Sequence, residues 1–278
     1  MKRLLAIELQ KIWKNKASRV LTLTYFILLT FIALIASIKF DIGIFKFHLA
    51  EMGIFNFPYI WHLNTYIAAI LKLFLAIVIV SMMANEYSYG TLKQNLIDGM
   101  SKKEFIQSKF LTVVLFAGLS TIFIFLLSLI LGFSFSSYTE IGIVFSEVEY
   151  LVAYFVKLIG FFSFCLFLGI LVKRSAFTLG FLFVWNIIEG LINGILTFKI
   201  FPKSETAAAI TQFLPLQSMS NLIIEPITRL SVVKNLGNQI GVENTKSYAV
   251  EPTAVLIVLA WTFLFIYASY RLLQKRDL

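Results

Sequence analysis

Six stretches of this chain are nearly free of charge, and each approaches the ~20 residues an α-helix needs to cross ~30 Å of hydrocarbon. They fall at about 20–38, 63–83, 110–133, 150–172, 177–198 and 253–270. No other feature limits the fold as much, because hydrocarbon offers backbone amides no water and a spanning helix bonds all of its own. Composition agrees. The chain is 59% hydrophobic and 14% charged, whereas soluble domains carry about a quarter charged residues. The expectation is an all-α membrane protein, a single transmembrane domain over residues 1–278, with six transmembrane helices.

The basic residues orient these helices. With the N-terminus inside, six Lys/Arg precede the first span, four lie in 85–109, Lys173 and Arg174 follow span four, and three sit near the C-terminus. The outer connections hold seven over a much longer sequence, and 133–149 contains Glu140, Glu147 and Glu149 without Lys or Arg. An excess of Lys/Arg beside the spans marks the cytoplasmic side, so both termini are expected there. The net charge of +9 is thus topological and marks the lipid bilayer as a partner; a nucleic-acid partner is not expected. The first apolar run begins near Val20 and is long enough to span, which distinguishes it from a cleavable signal.

Ahead of it, Leu5, Leu9, Ile12 and Trp13 share one face of residues 1–17, with Arg3, Lys11 and Lys14 elsewhere. That pattern predicts an amphipathic helix lying among lipid headgroups. Residues 40–61 are rich in Phe and Ile but interrupted by Asp41, Lys46, His48, Glu51 and Pro58, and are expected to be an outer loop hugging the membrane. The largest outer segment, 199–252, contains an Ala-rich stretch at 205–224 broken at Pro215. Two arrangements fit it: a helical pair dipping into the outer leaflet, or a small cap resting on the surface.

Several chemistries are excluded. No glycine is followed by lysine, so a phosphate-cradling G-x-x-x-x-G-K-[ST] loop is absent. There is no H-E-x-x-H; the two histidines, His48 and His62, lie towards the outside, and the single Cys165 sits in an apolar run. Neither a catalytic site nor a metal or cofactor site is expected on this chain. Polar residues inside spans are the remaining sites of interest. Glu189 lies well within span five, where a charge costs roughly 2.5–3.5 kcal/mol. Asn186, Glu189 and Asn193 share one arc, with Gly190 and Gly194 beside them as a small-xxx-small pair. Lys72 and Lys157 reach comparable depth and are candidate partners for Glu189. These residues form either a polar lining of a translocation path or subunit seam, or a structural ion pair, with lysine snorkelling as a further alternative.

The polar interval 85–109 carries its own helix punctuation. Gly90 and Gly99 bracket a short segment whose Leu92, Leu96 and Ile97 fall on one face, and Ser101-Lys102-Lys103-Glu104 has capping-box spacing. A docking loop leaves one helix, crosses the membrane surface and starts another.

Glu86, Gly90-Thr91-Leu92, Leu96 and Ser101-Lys102-Lys103-Glu104-Phe105, with Lys109 opening the next span, resemble the first cytoplasmic loop of ABC-2 type permeases. Glu8 and Lys11 ahead of span one, the six-span layout and Pro215 in a large outer loop are also similar. Lys102 stands where arginine is usual, and Gly99 near where proline is common. The resemblance implies that two such permease subunits pair, and that each short helix fits a cleft in a separate ABC ATP-binding subunit. ATP and Mg would be held by that partner, with no cofactor here. Glu86, Tyr87, Gly90, Thr91, Leu92, Leu96, Ile97, Ser101, Lys102 and Glu104 would couple the two proteins. Leu92, Leu96 and Ile97 would anchor; Lys93, Lys102 and Lys103 would meet acidic ATPase or lipid surface; Glu86 and Tyr87 would transmit the displacement. It further implies a multi-pass protein of the bacterial cytoplasmic (inner) membrane that exports an amphiphilic, peptide, lipid or drug-like substrate. Two other classes share the layout: an ion-gradient-driven secondary transporter using Lys72, Lys157 and Glu189, and a structural membrane subunit of a motility or secretion machine. No internal repeat of the kind common in secondary transporters is evident.

Overall fold

The computed structural model describes residues 2–42, 45–47, 50–202, 206–230, 233–235, 239 and 246–276. Helix α1 (Lys2–Lys14) runs into α2 (Lys16–Ser37), which Asn15 caps by accepting the Ser18 amide. A short antiparallel hairpin follows, β1 (Phe40–Ile42) with β2 (Phe45–Phe47), Asp41 standing opposite Lys46 in the register. It is the one departure from an all-α chain among the described residues. Next come α3 (Tyr59–Leu71), α4 (Leu73–Ser88), α5 (Thr91–Ile97), α6 (Lys102–Phe135) and the one-turn α7 (Ile141–Val144). Then α8 (Glu149–Val172) leads to α9 (Ser175–Ile195), which a π-helical turn prolongs to Ile200. The short α10 (Thr206–Thr211) and α11 (Pro215–Asn221), a 3₁₀ turn at Ile227–Arg229 and α12 (Pro252–Gln274) complete the chain.

Five of these helices, α2, α6, α8, α9 and α12, are long and apolar enough to cross a membrane alone. The sixth run is divided between α3 and α4, which bend by 42° at Lys72. The protein is a multi-pass membrane protein. Its axis is α8, whose apolar length is mostly buried within the bundle, whereas α9 is mostly exposed. Close approach to α8 is built on small residues. A Cβ at Gly160 would stand 2.7 Å from Val258 of α12 and 3.2 Å from Met219 of α11, closer than side chains tolerate.

One loop expectation is revised and the choice at another is narrowed. Within 40–61, Phe55 and Phe57 are 2% and 1% exposed and face the bundle instead of lipid. The Phe57 ring occupies the space a side chain at Gly132 would need, and α3 begins at Tyr59. His48, predicted in this loop, lies outside the described residues. In 205–224, Met219 reaches Gly160 near the middle of α8, which favours the dipping pair over a surface cap.

At the end opposite the termini, side chains tie the connections together. Arg229 pairs with Glu147, His62 stacks on Tyr150 with ring centroids 4.1 Å apart, and Tyr59 donates to the Pro226 carbonyl. Burial pushes the Glu225 carboxyl up, but hydrogen bonds from Lys246 and Thr228 outweigh it and hold it below the usual range. A carboxylate depressed by folding stabilises fully at neutral pH and loses that contribution as pH falls through its folded value. Acidification below the ordinary carboxylate range is therefore expected to loosen this cap. A steeper loss of melting temperature at low pH in wild type than in Glu225→Gln would register it.

Candidate functional site

The densest polar structure lies at the basic end, where α1, α4, α5 and α6 meet. Lys109, about two turns into α6, is fully buried and donates to Glu8 Oε2 and Glu86 Oε1, both at 2.5 Å. Lys11 donates to the same Glu86 oxygen at 2.9 Å and lies 3.6 Å from Glu8. Thr91 Oγ1 donates to the other Glu86 oxygen at 2.5 Å. Two carboxylates and two ammoniums balance, which is how charge is tolerated without water. Burial lowers the Lys11 ammonium, but the hydrogen bond and charge of Glu86, with Glu8, outweigh it and raise it above the ordinary lysine value.

Local sequence puts each group there. Glu8 and Ile12, four residues apart, form the buried stripe of α1, so this helix turns a carboxylate inward while Trp13 is 54% exposed. Gly90 takes the left-handed conformation (φ 68°) between α4 and α5, reversing the chain tightly enough for Thr91 to reach back to Glu86. Ser101 and Glu104 close the reciprocal box: the Ser101 amide and hydroxyl donate to Glu104 Oε2, and the Glu104 amide donates to Ser101 Oγ. Gly99 (φ 94°) makes the intervening turn.

The short helix α5 presents a different face from the one expected. Leu92 is 2% exposed and packs into this chain's own core, and Leu96 is partly buried, so Leu92 is not an outward anchor. Ile97 is 69% exposed and the preceding Tyr89 73% exposed, flanking the exposed Lys93 and Gln94. Lys102 is also reassigned: its Nζ donates to the Gln274 and Arg276 carbonyls at the end of α12. Lys103 remains exposed. Tyr87 Oη accepts from Arg276, whose guanidinium also bonds the Ile170 and Leu171 carbonyls of α8. The C-terminal residues thereby clasp α4 and α8 beside the Glu86 network.

The intramembrane candidates are not brought together as expected. Glu189 accepts from the backbone amides of Leu216 (2.9 Å) and Gln217 (2.9 Å) at the start of α11 and from Trp185 Nε1 (2.5 Å). It makes no ion pair with Lys72 or Lys157. A carboxylate at a helix start satisfies amides that otherwise lack partners, which explains its survival at this depth. Asn193 Nδ2 lies 3.4 Å from Gln217 Oε1 and joins the same connection, whereas Asn186 is exposed. Gly190 and Gly194 meet nothing within 4 Å, so their small face is open within this chain.

Sequence reasoning left Glu8, Lys11, Lys109 and Arg276 out of the coupling set. The signal for Lys109 was a charge standing directly before the long apolar run of α6; nothing local marked Arg276. A buried hydroxyl triad, Tyr25, Ser120 and Tyr154, also escaped notice; it links α2, α6 and α8 by bonds of 2.5–2.8 Å.

Residues 4–278 match the family model described as ABC-2 family transporter protein. No curated protein shows significant similarity to the sequence.

Proposed function

This chain belongs to the ABC-2 transporter family, and from that membership we propose that it is the permease subunit of an ATP-driven exporter. In this reading α5 docks in a cleft of a separate ABC ATP-binding subunit, which holds the ATP and Mg that a chain without a phosphate loop leaves to its partner. Both termini lie in the cytoplasm of a bacterium, and the protein sits in the inner membrane. Two permease subunits pair, with the outward Phe177 and Ile187 of α9 available to lipid or to the second copy.

The observation that carries this reading is the Glu86 network. A push on α5 passes through Thr91 to Glu86, and from Glu86 directly to α1 and α6. Because each contact is a short charge-assisted bond and Glu86 and Lys109 are buried, the four helices respond as a unit. Secondary transport through Lys72, Lys157 and Glu189 finds less support, since Glu189 is bound to backbone amides away from both lysines.

The docking face is tested at Ile97. An apolar residue 69% exposed on a short surface helix is suited to fill a partner pocket. Ile97→Asp is expected to weaken co-purification with the co-expressed ATP-binding subunit by at least ~30-fold, the loss typical of a hot spot. Its melting temperature should stay close to wild type. Leu92→Asp should unfold the protein instead, because that side chain is internal. Undiminished association of Ile97→Asp would sink the docking assignment.

A further inference from the structure

We infer that the groove beside the α3–α4 break binds a single-tailed amphiphile with an anionic head, with the Lys72 ammonium as its counter-ion. This rests on the transport reading above and names the class of molecule carried. The groove encloses about 490 Å³ and is bounded by Lys72 and Leu73 at the break, Phe161 of α8, and Leu182, Phe183 and Asn186 of α9. That volume falls within the roughly 300–1,000 Å³ of pockets that hold one small ligand. Apart from Lys72 and Asn186 its lining is apolar, as a hydrocarbon tail requires.

The two polar groups are under-used. Lys72 Nζ donates to the Ala69 carbonyl at 3.1 Å and lies 4.7 Å above the Phe161 ring. An ammonium has three donors, so Lys72 retains capacity for an anion. Among the described residues, the Asn186 amide has no hydrogen-bond partner. Behind them Lys157, 5% exposed on α8, also lacks a hydrogen bond or carboxylate among the described residues. Buried cations are ordinarily paired. The half-buried Lys72 ammonium, without a carboxylate among the described residues, leaves a charge that an arriving carboxylate or phosphate would complete.

Depth selects cargo over structural lipid. The 13 residues of α3 and 16 of α4 extend about 20 Å and 24 Å on either side of Lys72, at 1.5 Å per residue. The cation therefore lies near mid-membrane, where a phospholipid headgroup does not reside but a molecule in transit passes. Moreover, α4 runs unbroken from Lys72 to Glu86, so displacement at the Glu86 network turns the arm that forms one wall of the groove.

The test is equilibrium binding of radiolabelled dodecyl phosphate to the full-length protein in nanodiscs of neutral lipid, without ATP-binding subunit or nucleotide. Saturable binding displaced by unlabelled dodecyl phosphate, and not by dodecyltrimethylammonium or dodecyl maltoside, is expected. Lys72→Gln should weaken it about tenfold or more, the range for a lost charged hydrogen bond, while Lys72→Arg should bind within a few-fold of wild type. Asn186→Leu should weaken it less. Equal displacement by the trimethylammonium probe, or undiminished binding by Lys72→Gln, would overturn the assignment. So would complete disulfide formation between two copies of Phe183→Cys, which would show the groove filled by a second subunit. If Lys72→Gln does not fold, the head-group selectivity of wild type and Lys72→Arg decides the matter. Because no ATP-binding subunit is present, failure here leaves the docking experiment at Ile97 unaffected, and failure there leaves this one intact.

Discussion

Lys109→Met is expected to destabilise the protein by about 3–5 kcal/mol, the usual loss when one partner of a buried ion pair is removed. The substitution keeps an unbranched side chain only one heavy atom shorter, so packing changes little. What it removes is the positive charge between Glu8 and Glu86, whose side chains are 6% and 3% exposed. Two carboxylates would then face each other with only the half-exposed Lys11 to offset them. A large fall in melting temperature in detergent, together with loss of association with the ATP-binding subunit, should follow. The control is the triple variant Glu8→Gln, Glu86→Gln, Lys109→Met. Removing all three charges leaves no stranded ion, so this variant should recover much of the stability without recovering coupling. If the single and triple variants were equally unstable, the network would owe its effect to packing and not to charge.

Glu189→Ala is expected to free the α10–α11 connection from α9. Its carboxylate accepts from three donors, and hydrogen bonds to a charged group contribute about 1.5–3 kcal/mol each, though not additively. A loss of about 3 kcal/mol is anticipated, with Glu189→Gln losing less because its amide oxygen still accepts. Hydrogen exchange discriminates between roles. The Leu216 and Gln217 amides should exchange faster in Glu189→Ala, while amides in α8 stay protected. A variant that lost transport with unchanged stability and unchanged exchange would instead place Glu189 on the substrate path.

The most legible parts of this fold in the sequence were those set by neighbours along the chain. Five of the six apolar runs became single helices long enough to cross a membrane and the sixth a bent pair, and Ser101 with Glu104 formed the predicted cap, because a residue three positions away on a helix start has few other partners. Gly90 and Gly99 mark turns for an equally local reason, their positive φ angles. The bend at Lys72 was not foreseen, since an apolar run reads the same whether its axis is straight or broken. Leu92 and Ile97 were assigned to one face on spacing alone, yet one is internal and the other exposed. Which side of a seven-residue helix turns inward depends on the helices beneath it.

Charge shows the division most clearly. Hydropathy determined which runs are apolar enough to cross the membrane, and the distribution of Lys/Arg predicts which way they face, because both depend on transfer from water to lipid residue by residue. Only the tertiary structure decided which charges pair. Lys11 and Glu86 are 75 positions apart, and Lys109 and Glu8 are 101 apart. Glu189 found backbone amides where lysines had seemed its natural partners, since a desolvated charge takes whatever donors packing delivers to it, and packing between helices leaves no periodic trace in the chain.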